Sequence, residues 1–352
     1  MDASITGRRW ALSVCGLLWL LTFSCATTAA ADGQLLRDVS FDRYADYSGY
    51  SELVRRLLSP AAALRLGYKM QATGSRLAGQ PVDLAAEKFI VYVPSRKPEH
   101  GYALLVFVPP WQDARLPDRW AAVLEQMGVI FVSAARSGND ESPMGRREPL
   151  ALLAATNIMG QYPVDPERVL VGGFSGGSRI ALRLALGYPD LFRGALLNAG
   201  SDAIGNPASD APVPLPPREL LFRFQESTHI VYATGERDAE HIDDDLTSTQ
   251  SLRQWCMYDS DDIVMPRVGH TVADAVTLSR ALTSLFAAAP PDHDRLARCR
   301  AAIDAELAGK FARIESLIAG GQRAAADKLL DKLDRQYGGL AAPRSLELPP
   351  PL

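Results

Sequence analysis

At 352 residues the chain is long enough for one large α/β domain or two smaller ones. Its hydrophobic share of 47% and charged share of 22% are those of a globular protein able to bury a core, which excludes a disordered or fibrous chain. A formal net charge of -4, with no long basic run, excludes a general pull toward nucleic acid.

The N-terminus reads as a targeting segment. Arg8 and Arg9 precede a nearly uncharged apolar run from Trp10 to Phe23, and Ala29-Ala30-Ala31-Asp32 follows. A short positive region, an apolar stretch of about 7–15 residues and an A-x-A site describe a secretory signal peptide. Residues 1–31 are expected to be that peptide, with cleavage after Ala31 and a periplasmic or secreted product. Two other readings use the same residues. An uncleaved segment would attach the chain to a membrane, and Cys25 would be acylated in a lipoprotein, although bulky Phe23 fits a lipobox poorly. Removal of the segment leaves Cys256 and Cys299, which an oxidising compartment permits to pair. No C-x-x-C or His-rich spacing points to a metal, so none is expected.

Residues 32–84 read as a polar, helical N-terminal segment. Beyond them, β-branched and aromatic runs alternate with helix-length stretches. Phe89–Val93, Leu104–Val108, Val129–Val132, Val169–Val171, Ala195–Leu197, His229–Tyr232 and Ile263–Met265 are expected strands. Helices are expected over Pro117–Met127, Glu148–Gln161, Ser178–Leu186 and Thr271–Ala287. Such alternation means an α/β protein with a mostly parallel sheet flanked by helices. Residues 201–218, rich in Pro, Ser, Gly and Asp, read as a surface loop. Residues 291–340 carry apolar positions at helical spacing on either side of Gly320-Gly321: Ile303, Leu307, Phe311 and Ile314, then Leu329, Leu330 and Leu333. They predict a C-terminal helical hairpin, with a Pro-rich tail over 341–352.

The sharpest chemical signal is Gly173-Phe174-Ser175-Gly176-Gly177, with a strand running in and a helix running out. A strand-turn-helix of this kind holds the serine on a tight elbow above the carboxyl ends of the strands. A serine hydroxyl is a weak nucleophile and needs a base. Of the five histidines, His270 lies on the loop after the last expected strand, where it can swing over the elbow; His241 is a minor rival. Asp238 follows the strand His229–Tyr232 and can orient the imidazole, with Asp202 as the rival carboxylate. Asp243, Asp244 and Asp245 read as a solvated cluster. The backbone N–H of Gly176 is one expected oxyanion donor. The other comes from the Pro109-Pro110-Trp111-Gln112 loop; proline has no N–H, which leaves Trp111 or, failing it, Gln112. Phe174 and Trp111 are expected to contact substrate.

Over residues of about 85–287 the chain resembles α/β-hydrolases of the broad esterase and polyhydroxybutyrate-depolymerase-like group. The resemblance rests on the Pro-Pro-Trp loop, Ser133-Ala134-Ala135-Arg136-Ser137-Gly138-Asn139, the Gly173–Arg179 segment, Tyr188-Pro189-Asp190-Leu191-Phe192, Thr234-Gly235-Glu236-Arg237-Asp238 and Gly269-His270. It implies an α/β-hydrolase body over 85–290, the Ser175–Asp238–His270 triad and an acyl-enzyme route to ester cleavage without a cofactor. A peptidase of the same fold and a non-catalytic binding protein on this scaffold are the alternatives. A small-molecule ester is the expected partner, and nothing in the sequence bears on oligomeric state.

Overall fold

A computed structural model describes residues 1–2, 33–76, 79–208, 213–287 and 289–348. The expected signal peptide, with Cys25 and the Ala31 cleavage point, lies outside these residues apart from Met1 and Asp2. Residues 349–352 of the tail lie outside them as well. Asp32–Leu352 form one compact unit.

Among the described residues, eight strands form one sheet: β1 (Gln34–Val39), β2 (Phe89–Val93), β3 (Tyr102–Val108), β4 (Val129–Ala134), β5 (Val164–Phe174), β6 (Gly194–Asn198), β7 (His229–Gly235) and β8 (Ser260–Met265). Their order is β1-β2-β4-β3-β5-β6-β7-β8. β2 pairs antiparallel with both β1 and β4, while the pairs from β4–β3 onward are parallel. Helices of the described residues include α1 (Tyr50–Leu57), α2 (Pro60–Thr73), α3 (Trp120–Met127), α4 (Glu148–Gln161), α5 (Gly176–Gly187), α6 (Arg218–Ser227), α7 (Ala239–Gln254), α8 (Ala275–Phe286), α9 (His293–Ala319) and α10 (Arg323–Tyr337), and several of them flank the sheet.

The central strands read as continuous apolar runs because both of their faces are covered. β3 shows the two-residue period directly. Leu104, Val106 and Val108 join a core with Val171, Leu197 and the helices α4 and α5. Ala103, Leu105 and Phe107 join a second core with Trp120 of α3 and Leu278 of α8 on the other face. The sheet is therefore a slab with two dry faces, and its chemistry is confined to its edges.

Three readings of the sequence need correction. The 32–84 segment begins with the edge strand β1, which pairs with β2 and belongs to the sheet. Its partly exposed side chains show no period-2 pattern, and its conformation comes from pairing with a strand some fifty residues on. The 201–218 segment is no simple surface loop: Ser201, Ile204, Val213 and Leu215 are buried, and Ile204 bridges to Val213. α6, which follows directly, is a further helix that the sequence reading lacks. Asp244 and Asp245 are also not a solvated pair, as described below.

The C-terminal hairpin is α9 and α10, separated at Gly320-Gly321, where Gly321 takes φ +72°. It buries Leu307, Phe311, Ile314, Leu330 and Leu333 in the first core; Ile303 packs at its margin and Leu329 stays largely exposed. Among the links that anchor it, Ser59 Oγ donates to Asp334, Arg300 of α9 donates to Gln225 and the Phe222 carbonyl of α6, and the Cys256–Cys299 disulfide, with Cα atoms 5.9 Å apart, ties α9 to the chain just after α7. No described helix is long and apolar enough to cross a membrane.

Candidate active site

The elbow between β5 and α5 is built from backbone crowding. Ser175 sits at φ 55°, ψ -126°, outside the regions that an L-residue ordinarily occupies. Its amide donates to the Asn198 carbonyl at 2.9 Å, and its carbonyl accepts from the Ser178 amide at 3.0 Å, so the turn is pinned on both sides. A side chain at Gly173 would collide with the backbone of Gly177, and one at Gly177 with the Val108 carbonyl of β3. One at Gly176 would strike the Asn139 side chain. The small residues around the serine are thus required by three close approaches, and the strain at Ser175 is over-determined by its surroundings.

The other groups arrive on loops at the carboxyl ends of neighbouring strands. Asp238, 8% exposed, lies just past β7 at the N-terminus of α7. Its Oδ2 accepts from Nδ1 of His270, which follows β8, at 2.8 Å. Its Oδ1 accepts from Nδ1 of His241, on the first turn of α7, also at 2.8 Å. Burial pushes the Asp238 carboxyl up, but the hydrogen bonds from His241 and His270 outweigh it, so its pKa lies below the ordinary aspartate value. The carboxylate therefore stays charged through the neutral range.

A row of rings runs along this edge. The Phe174 ring, next to the serine, lies 4.8 Å from the His270 ring, and the His270 ring stacks on His241 at 4.3 Å and 23°. On the other side the Trp111 ring lies 6.1 Å from Phe174, with the Arg115 guanidinium 4.0 Å above it. The buried Trp111 indole N–H finds no hydrogen-bond partner among the described residues. Ser175, Phe174, His270, Asp238 and Trp111 are thus brought to one edge. No hydrogen bond joins Ser175 Oγ to the His270 imidazole, whose Nδ1 is held by Asp238.

The backbone amides of Gly176 and Trp111 donate to no group among the described residues. Gly176 opens α5, and the first amides of a helix have no intrahelical acceptor. The Trp111 backbone is held against Gly138, whose Cβ would meet the Trp111 carbonyl carbon at 2.9 Å.

Asp202, the rival carboxylate, is taken by Arg179 of α5, whose other arm holds Asp244 at 2.8 Å. Asp245 is buried and accepts from Ser201 Oγ at 2.6 Å and Thr234 Oγ1 at 2.5 Å. Burial raises its pKa from 3.8 to about 6 despite those bonds. Of the other histidines, His229 is buried between Asp259 and Ser284, and His100 and His293 are exposed.

Two residues of the site were not assigned from sequence. His241 had a visible signal in its spacing of three from Asp238 at a helix start, which puts both on one face. Arg147, 4% exposed, had none. Its Nε donates to the Ser137 carbonyl at 3.0 Å, and its Nη2 to the Pro109 carbonyl at 3.0 Å and Asn139 Oδ1 at 3.3 Å. Desolvation lowers its pKa to about 10, which leaves it charged at neutral pH. One guanidinium thus braces the Trp111 loop and the Asn139 loop together.

The strand order, the antiparallel β2, and the elbow between β5 and α5 define an α/β-hydrolase fold. Solved structures similar to this chain include a ferulic acid esterase, at 15% identity over 56% of this chain and 91% of that one, with a TM-score of 0.43. An acetyl xylan esterase from Aspergillus awamori is 16% identical over 56% and 94%, with a TM-score of 0.42. A poly(3-hydroxybutyrate) depolymerase from Bordetella parapertussis is 17% identical over 60% and 88%, with a TM-score of 0.43. No family model and no curated protein sequence matches the chain.

Proposed function

We propose that this chain is an exported serine hydrolase that cleaves a carboxylic ester through an acyl-enzyme intermediate. The observation that carries the reading is the 2.8 Å bond from His270 Nδ1 to a buried, charged Asp238, set at the edge where Ser175 is held on a strained elbow. With Nδ1 donating to the carboxylate, the neutral ring keeps its lone pair on Nε2, the tautomer a general base needs.

In this reading Ser175 Oγ attacks the acyl carbonyl while His270 Nε2 takes its proton. The Gly176 and Trp111 amides, free of other acceptors, stabilise the oxyanion, a contribution of about 2.7–4 kcal/mol per donor. His270 then protonates the leaving alcohol, and water cleaves the acyl-enzyme by the same path. Trp111 and Phe174 give the site an aromatic wall that suits an apolar acyl group or an aromatic one.

A fluorophosphonate probe tests the assignment directly. Mass spectrometry is expected to place the label on Ser175, and Ser175→Ala should abolish labelling and ester turnover while circular dichroism stays native. Label on another serine would refute the nucleophile. Asp238→Asn should slow turnover by about 10³–10⁴-fold, because it favours the wrong imidazole tautomer. Asp202→Asn, which only loosens Arg179, should slow it far less. The reverse ranking would exchange their roles.

A further inference from the structure

An acyl-enzyme route needs one carboxylate and one imidazole, yet here two imidazoles converge on Asp238. Each Nδ1 lies 2.8 Å from its own carboxylate oxygen, and the rings stack at 4.3 Å. One ligand atom from each of Asp238, His241 and His270 lies within 4.8 Å of the other two. Two imidazole nitrogens and a carboxylate oxygen form a donor set that suits zinc and poorly suits calcium or magnesium, which prefer oxygen.

We propose that Asp238, His241 and His270 form a binding site for zinc, and that zinc held there silences Ser175. The silencing half of the proposal rests on the hydrolase reading; the binding half stands on the cluster alone.

The chemistry follows from the tautomers. To bind zinc, a neutral imidazole must expose its Nδ1 lone pair, so its proton moves to Nε2 and a Zn–Nδ1 bond forms. No net proton is lost from a neutral ring, and an imidazolium would release one. His270 with a proton on Nε2 cannot accept the Ser175 proton, so the base is lost without any change to the serine. Asp238 supplies a negative charge to the cation. Of the other acidic residues of α7, Glu240 and Asp243 are exposed, while Asp244 is held by Arg179 and Asp245 by Ser201 and Thr234.

The geometry is within reach. Zinc at about 2.0–2.2 Å from three donors in a tetrahedral site needs them about 3.4 Å apart. Each imidazole Nδ1 now lies 2.8 Å from Asp238, and one ligand atom from each of the three residues lies within 4.8 Å of the others, so small side-chain shifts reach that value. Access is open as well: the His270 side chain is 39% exposed, against 16% for His241.

The test measures binding and activity separately on purified protein. Equilibrium dialysis is expected to find one zinc per chain, not displaced by excess magnesium or calcium. His241→Asn should weaken zinc binding at least tenfold. Saturating zinc should slow fluorophosphonate labelling of the wild type at least tenfold, and a chelator should restore it. His241→Asn should need at least tenfold more zinc than the wild type for the same slowing of labelling. Absence of stoichiometric zinc, or equal affinity in His241→Asn, overturns the site. Bound zinc that leaves labelling untouched overturns the silencing. If the wild type is never labelled, yet zinc binds and is lost in His241→Asn, the hydrolase reading falls while the metal site stands.

Discussion

The elbow around Ser175 and the α9–α10 hairpin are both well-packed parts of the molecule, yet they are held by different physics. At the elbow, backbone meets backbone: Gly173 lies against Gly177, and Gly177 against the Val108 carbonyl. In the hairpin the contacts are side chains such as Leu307, Phe311, Ile314 and Leu333, each contributing about 1.5–3 kcal/mol by burial. Backbone contact leaves no room to adapt, whereas side-chain burial is spread over many residues and can relax. The elbow should therefore fail abruptly under small changes, and the hairpin should weaken by degrees.

The sharpest way to break this contrast is Gly177→Ala. The added methyl meets a carbonyl of β3, so the substitution should cost about 4 kcal/mol or more, or prevent folding. A denaturation midpoint close to wild type would refute backbone crowding as the constraint. Next in size is loss of the Cys256–Cys299 bridge. It closes a separation of 43 residues, and Cys256→Ser with Cys299→Ser should destabilise by about 4 kcal/mol in urea unfolding. A loss below about 1 kcal/mol would mean that side-chain burial holds the hairpin alone.

A smaller effect comes from Asp245, behind the active-site edge. Its folded pKa is about 6, against an ordinary value near 3.9, so the folded chain keeps a proton that the unfolded chain releases first. This carboxyl is neutral in both states below about pH 4, and its cost appears as pH rises toward 6, reaching about 2–3 kcal/mol. Asp245→Asn should show little relative gain at pH 4 and a growing one up to pH 6–7. A gain independent of pH would assign the effect to packing. The smallest expected change is Gly309→Ala on the exposed side of α9. Nothing lies within 4 Å of the new methyl, so the helix should gain about 0.5–1 kcal/mol. Together with Gly177→Ala it applies one substitution to both regions.

The same contrast separates what could be read from sequence and what could not. The Gly173–Gly177 run is legible because its constraint is local: glycines flank the serine that they crowd. The central strands are legible because both of their faces are dry. β1 is not, since its partner is β2, far along the chain. Asp244 and Asp245 read as solvated because Arg179, Ser201 and Thr234 reach them only in the fold. Arg147 was invisible for a similar reason: two of its acceptors are main-chain carbonyls, which leave no mark in the residue types.

The hairpin is nevertheless covalently tied to the active-site edge through the segment that carries His270. Between Cys256 and Cys299 the chain makes β8, presents His270 and completes α8 before it reaches α9. The segment that carries His270 is therefore a closed ring and not a free stretch of chain. When the hairpin frays, the two ends of that ring still cannot part, and its contour bounds how far the imidazole can wander from Asp238. A reductant would lengthen that tether without touching a single residue of the active-site edge.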